Sequence, residues 1–244
     1  DNSQQLQDDL NALQSWETSW KMEFNPLKCE YVKFSRKRTK GAENQYILHN
    51  VQIPKADGVK YLGVKLESSL RWNDNTTYIT NKASSRLGYI RRTIPPTLPH
   101  LRAKAYTTLV RPILEYSSTV WDGSLTQTQA TKLEAVQRRA ARTVHNIPRT
   151  DHHTSSSQLI NKLNWETLDS RREWRRLGLF RAIHFGEVAT DMTEYIQIHP
   201  HSSSTRRHDQ QYFIPHCNTD IHKKSFFIST AKLWNNLCSL SSLL

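Results

Sequence analysis

The 244 residues carry 34 Lys and Arg against 22 Asp and Glu, a formal charge of +12 and a pI near 9.7, with three cysteines and seven glycines. A surplus of that sign points to a polyanion, because neutralised phosphates release condensed counterions; nucleic acid ranks first and an anionic membrane surface second. Excluded are a membrane span, since no apolar run approaches the roughly 20 residues required; a disulfide framework, since Cys29, Cys217 and Cys238 are odd in number and far apart; and P-loop or dinucleotide chemistry, since no glycine-rich phosphate loop occurs.

Residues 1 to 20 lack the basic-then-apolar order of a signal peptide, so the chain reads as soluble and intracellular. Its length suits one large or two small domains. Leu6, Leu10, Leu13, Glu17 and Trp20 recur at steps of three and four, which predicts a helix whose apolar stripe is broken only by Glu17 and stopped by Asn25-Pro26. β-Prone runs follow at 29–34, 46–49, 51–53 and 59–66, with His49-Asn50 as a hairpin turn. The basic segment from Arg36 to Gly41 reads as a solvated loop.

Helical spacing returns after Trp72, with Ile79, Ala83, Leu87 and Ile90 on one face until Pro95-Pro96. Leu101, Ala105, Leu109, Ile113, Tyr116 and Val120 extend the pattern through a second helix, in which Pro112 predicts a kink or break. A third helix buries Leu133, Val136, Ala140 and Val144 and presents Lys132, Arg138, Arg139 and Arg142 on its remaining surface. The polar stretch His145 to Gln158 reads as a linker or surface loop. Trp165 to Phe185 predicts a further helix, with the densest positive charge of the chain at Arg171, Arg172, Arg175, Arg176 and Arg181. Beyond Ala189 the apolar anchors reduce to Tyr212-Phe213, Phe226-Phe227 and Leu233-Trp234, which predicts partial order. The expected class is α+β: a small N-terminal helix with antiparallel strands over 1–72, a helical domain over 73–145, and a basic, helical, partly irregular extension over 146–244.

Polymerase chemistry needs carboxylates that hold two divalent ions. The one acidic doublet, Asp8-Asp9, sits inside the first helix and reads as a charged first turn, while Glu115 and Asp122 lack a second acid at a metal-binding step and read as structural. His199, His201, His208, His216-Cys217 and His222 cluster late, but their spacing departs from any zinc finger or knuckle, so they read as surface histidines and no metal site is assigned. Covalent catalysis has no candidate, since no serine stands in a nucleophile elbow.

The order of motifs resembles the region behind the catalytic strand in reverse transcriptases of LINE-type, non-LTR retrotransposons of the jockey and CR1 kind. Leu6, Asp9-Leu10, Leu13, Trp16, Trp20, Met22, Phe24-Asn25 and Lys28-Cys29 resemble the segment after that family's aspartate doublet. Lys60-Tyr61-Leu62-Gly63-Val64 resembles its KYLGV strand, followed in order by Leu70-x-Trp72, Lys82-Ala83, Leu87-Gly88 and Arg91-Arg92. Ala105-Tyr106, Leu109 to Pro112, Leu114 to Tyr116, Val120-Trp121, Leu133-Glu134 and Val136 to Arg142 continue the series, and Trp165, Leu168, Arg171-Arg172, Arg176-Leu177, Ser225 to Phe227 and Trp234-Asn235 complete it. Asn75-Thr76, Gly123 and Cys238 depart from the pattern, and the aspartate doublet itself is missing, as are the fingers, most of the palm and any endonuclease domain.

This resemblance implies the end of a palm, a thumb and a C-terminal extension of an RNA-directed DNA polymerase, in the nucleus and cytoplasm. Its partners would be RNA template and DNA primer as an RNA–DNA hybrid, together with the upstream polymerase region, with no membrane and no small-molecule cofactor. Mg2+ would be held only with aspartates upstream of Asp1, so the chain alone is expected to be inactive. Lys28 matches a lysine that can protonate departing pyrophosphate, though a solvated lysine has the same spelling. Tyr61, Leu62, Gly63 and Val64 resemble the primer grip, a strand and turn on which the primer end rests, Gly63 allowing close backbone approach; the alternative is a simple buried strand. Lys82, Arg86, Arg91, Arg92, Arg138, Arg139 and Arg142 are the implied phosphate contacts of the thumb, and which of them serve is left open. Arg171, Arg172, Arg175 and Arg176 would grip RNA or, alternatively, pair with Glu166, Asp169 and Glu173. The competing reading is a host-adopted helical domain whose arginines bind acidic proteins.

Overall fold

The computed structural model describes residues 2–34, 44–148, 150–198 and 211–241, so the basic segment 36–41 and His199, His201 and His208 lie outside the described residues. The architecture is α+β, as expected, and it divides into two compact units, Asp1–Asn75 and Thr76–Leu244.

In the first unit, helix α1 (Asn2–Trp20) packs against a hairpin of β1 (Tyr46–Leu48) and β2 (Val51–Ile53), paired antiparallel with Tyr46 opposite Ile53. His49 and Asn50 take positive φ of 49° and 60° and form its two-residue turn, the twist that matches right-handed strands. Gln7 seals the edge of β1: its amide nitrogen donates to the Ile47 carbonyl at 3.0 Å and its amide oxygen accepts from the Ile47 N–H at 2.9 Å. Tyr46, Leu48 and Ile53 form a small core with Leu10, Cys29 and Tyr31. The helical stripe does not turn inward as a whole. Glu17, which looked like its interruption, is 3% exposed, whereas Trp20 is 66% exposed. The buried carboxylate has work to do: it accepts the Phe24 N–H that closes the end of α1, and its Oε2 lies 2.8 Å from His49 Nε2 on the hairpin turn.

Two of the expected strands differ. Run 29–34 is no strand but a single bridge, Tyr31 to Lys55, after a 3-10 turn at Pro26–Lys28. Run 59–66 is not one strand but a second hairpin, β3 (Gly58–Tyr61) and β4 (Val64–Glu67), folded at Leu62 and Gly63 with φ of 45° and 86°. Gly63 therefore serves a left-handed turn. Glu67 at the end of β4 accepts the Asp74 N–H at 2.7 Å, and the Asn75 side chain accepts the Lys65 N–H at 3.1 Å, tying hairpin to helix start.

The second unit is helical. On α2 (Asn73–Thr93) the expected residues Ile79, Ala83, Leu87 and Ile90 are all buried. The next apolar pattern folds as α3 (Pro99–Ala105), a π-turn at Tyr106–Val110, α4 (Arg111–Glu115) and α5 (Ser118–Trp121). The π-turn, closed by the Arg111 N–H on the Tyr106 carbonyl, inserts one residue and rotates everything after it. Leu109 consequently faces outward at 50% exposure, and with a second break at Tyr116 and the left-handed Ser117 (φ 48°) Tyr116 and Val120 do so at 54 and 57%, while Val110, Leu114 and Trp121 are completely buried. Helix α6 (Gln127–Val144) opens with a capping box of Thr126 and Gln129 and buries Leu133, Val136, Ala140 and Val144. The supposed linker already contains the start of α7 (Ser156–Lys162). Helix α8 (Leu168–His184) then leads through α9 (Asp220–Lys223) to α10 (Phe226–Ser241), where Phe180, Ile183, Tyr212 and Ala231 share a core with Trp234.

A basic surface around α2 and α6, and arginines held inside

The eleven cations singled out for nucleic acid fall into two environments. The first lies on α2 and α6. Lys82, Arg86, Arg91, Arg92 and Arg139 are exposed and Arg138 half-buried, and none of the six is ion-paired among the described residues. Lys82 Nζ sits 5.9 Å from the Tyr78 ring centroid, and Arg139 reaches Ser84 Oγ at 2.8 Å. Helical spacing sets Lys82 and Arg86 one turn apart on one flank of the buried stripe of α2 and Arg91 on the other flank. Arg142 behaves differently. Its guanidinium donates to the carbonyls of Pro148, Asp151 and Thr154 at 2.6, 2.6 and 3.2 Å and so holds the loop after α6 in place.

The second environment is on α8, and its arginines are occupied. Arg171 Nε donates to Glu115 at 2.5 Å and Arg175 Nη2 to the same carboxylate at 2.8 Å. Arg172, fully buried, donates to Asp122 at 2.6 Å and to Asp169 at 3.1 Å, with its guanidinium 5.9 Å from the Trp121 ring centroid. Arg176 Nε lies 3.1 Å from the other Asp122 oxygen. Hydrogen bonding to Glu115 holds the Arg171 pKa above its ordinary range. Of the acids expected to pair with this helix, Glu166 lies 3.9 Å from Arg171 and Asp169 bonds Arg172. The principal partners are the distant Glu115 and Asp122, 1% and 9% exposed, whose structural reading from sequence now has a geometry. A buried Arg172 has no access to a phosphate.

In the first unit Lys28 closes its 3-10 turn and is exposed. Tyr61 and Leu62, 63% and 74% exposed, stand at the tip of the second hairpin, and Val64 is buried beneath it. No donor set for Mg2+ is assembled by the described carboxylates singled out from sequence: Asp8 and Asp9 accept from Gln4 and Gln5, and Glu115 and Asp122 face arginines. Among the described residues no three His, Cys, Asp or Glu side chains gather as a metal site, and no helix is long and apolar enough to cross a membrane.

Fold and surface thus define an α+β chain with a basic helical unit. Over 170 residues, 68% of its length, the chain is 25% identical to the probable RNA-directed DNA polymerase from transposon BS of Drosophila melanogaster, and the chain spans 18% of that protein. The relationship is to a reverse-transcriptase-like transposon polymerase. No protein-family model matches the chain, and no solved structure matches it significantly.

Proposed function

We propose that the chain is a template-primer-holding part of an RNA-directed DNA polymerase of the non-LTR, LINE-type class, jockey- or CR1-like. In this reading residues 1–72 are the end of the palm, with Lys28 facing pyrophosphate and Tyr61 to Val64 gripping the primer end. Residues 73–145 are the thumb and 146–244 its basic extension, the partner is an RNA–DNA hybrid, and metal-holding aspartates belong to a segment outside these residues. The carrying observation is the contrast between the two sets of cations. Arg171, Arg172, Arg175 and Arg176 of α8 are ion-paired with Glu115 and Asp122, whereas Lys82, Arg86, Arg91, Arg92 and Arg139 have no carboxylate partner among the described residues. Uncompensated charge on rigid helices suits the backbone of a duplex, which needs positioning and not base reading.

The test is binding of the purified chain to an RNA–DNA hybrid. Affinity falls by orders of magnitude between about 50 and about 200 mM salt with little sequence preference, and replacing Lys82 and Arg86 by alanine lowers the slope of log affinity against log salt by about 2. A flat salt response, or equal affinity for a polyglutamate chain, removes the reading and favours a domain for acidic proteins.

A further inference from the structure

On the Arg91 flank of α2 lies a groove of about 630 Å³, walled by α2, α3, α6 and the loop that follows α6. Its volume falls within the about 300–1,000 Å³ typical of small-molecule sites, well beyond what a phosphate alone would fill. Among the described residues no carboxylate lines it, yet four arginines do. Two of them, Arg102 and Arg142, spend their donors on backbone carbonyls: Arg102, 3% exposed, on Ile94, Thr143 and Arg91, and Arg142 on the loop. They make the wall rigid. Arg91 and Arg139 remain at the rim, exposed, with Arg139 braced on Ser84. Leu87, Ile147 and Pro148 supply an apolar surface between these cations, and Gly88 leaves it open, since a Cβ there would meet only the flexible tip of Arg92, 3.4 Å away.

We infer that this groove seats one unpaired nucleotide: its phosphate on Arg91 and Arg139, its base over Leu87, Ile147 and Pro148. Cations without a counter-charge beside an apolar floor match the two halves of a nucleotide, a charged phosphate and a flat ring whose faces are sequence-tolerant. A base inside a duplex is stacked and cannot enter, so the groove serves a single-stranded extension, while Lys82 and Arg86, on the opposite flank of α2, remain for the paired region. The inference deepens the nucleic-acid reading given above and rests on it.

The full chain is titrated with a labelled blunt RNA–DNA hybrid and with the same hybrid bearing an unpaired extension, and AMP and inorganic phosphate are offered as competitors. The extension tightens binding by about ten-fold or more, the equivalent of one well-made charged contact. Gly88→Leu fills the groove without changing charge and favours the helix, so it abolishes that increment while blunt-hybrid affinity and melting temperature are retained. Arg91→Gln, a charge also counted toward the duplex, reduces the increment over and above any loss of blunt-hybrid affinity, as a second, differently built variant. AMP competes for the increment better than phosphate does if the base is held; equal competition, or an extension that adds nothing, overturns the inference. Binding of the single strand that depends on Gly88, with no binding of the blunt hybrid, instead sinks the duplex reading and upholds the groove.

Discussion

Asp122 and Glu115 each hold two arginines of α8, and each does so from within the protein. A fully buried arginine is rare because taking its charge out of water is costly, and Arg172 tolerates it by meeting Asp122, Asp169 and the Trp121 ring. Removing one side of such a pair leaves a stranded charge. Asp122→Ala, which leaves the buried Arg172 with only the exposed Asp169 and takes the carboxylate from Arg176, is expected to cost about 3–5 kcal/mol in chemical denaturation, whereas Arg181→Ala, whose pair with Glu187 is exposed on both sides, costs about 0–1 kcal/mol. Equal losses would show the α8 network to be ordinary surface charge. His184 gives a pH signature. Burial lowers its pKa below the usual 6.5, and its Nδ1 faces the Tyr212 hydroxyl. The folded state therefore binds fewer protons than the unfolded one as pH falls past 6.5, so the contribution is complete above that value and is lost toward the lower folded pKa. Melting temperature should decline as pH falls below the ordinary histidine value of 6.5, and His184→Gln should flatten part of that decline; an unchanged profile in the variant would place the titration elsewhere.

At the scale of elements, the segment from Pro99 to Trp121 separates two registers that one substitution each can tell apart. If the π-turn sets the phase, Leu114→Ala opens a cavity and costs about 2–5 kcal/mol, while Leu109→Asn changes stability by no more than about 0.5 kcal/mol. A regular helix through Pro112 would reverse the two. Sequence spacing alone led to the second register, because Leu101, Ala105 and Leu109 fit helical steps, and nothing in single-residue periodicity announces an inserted residue; the only local signal was Pro112, whose missing N–H the wider turn accommodates. The uninterrupted helices were legible for the opposite reason. The stripes of α2 and α6 are regular from end to end. The hairpin at Leu62-Gly63 was obscured because an apolar run of strand-forming residues reads as one strand until a glycine within it is taken as a turn. For the basic surface, composition revealed how many arginines there are but not which are ion-paired, since Asp122 and Glu115 approach α8 from 50 and 56 positions away in sequence.

For the whole molecule, the carboxylate-free cations and the groove all lie in the second unit, Thr76–Leu244, together with the cores built on Phe180 and on Ala141, Leu159 and Ile160. The first unit carries its own small core around Tyr46, Leu48 and Ile53 and the exposed hairpin tip at Tyr61 and Leu62. This division has a consequence for binding that is separable from any polymerase chemistry. If affinity resides in helix-borne charge, a polypeptide of residues 73–244, which keeps α2 whole, should fold by circular dichroism and bind an RNA–DNA hybrid within about three-fold of the full chain, with the same dependence on salt, because no phosphate contact assigned to α2 or α6 has been removed. The primer-end contribution of Tyr61 and Leu62 would then appear only as a difference between hybrids with a recessed 3′ end and blunt ones, present in the full chain and absent from the shorter one. A folded 73–244 polypeptide with no affinity for the hybrid would transfer the binding surface to the first unit and leave the cations of α2 and α6 as solvated charge.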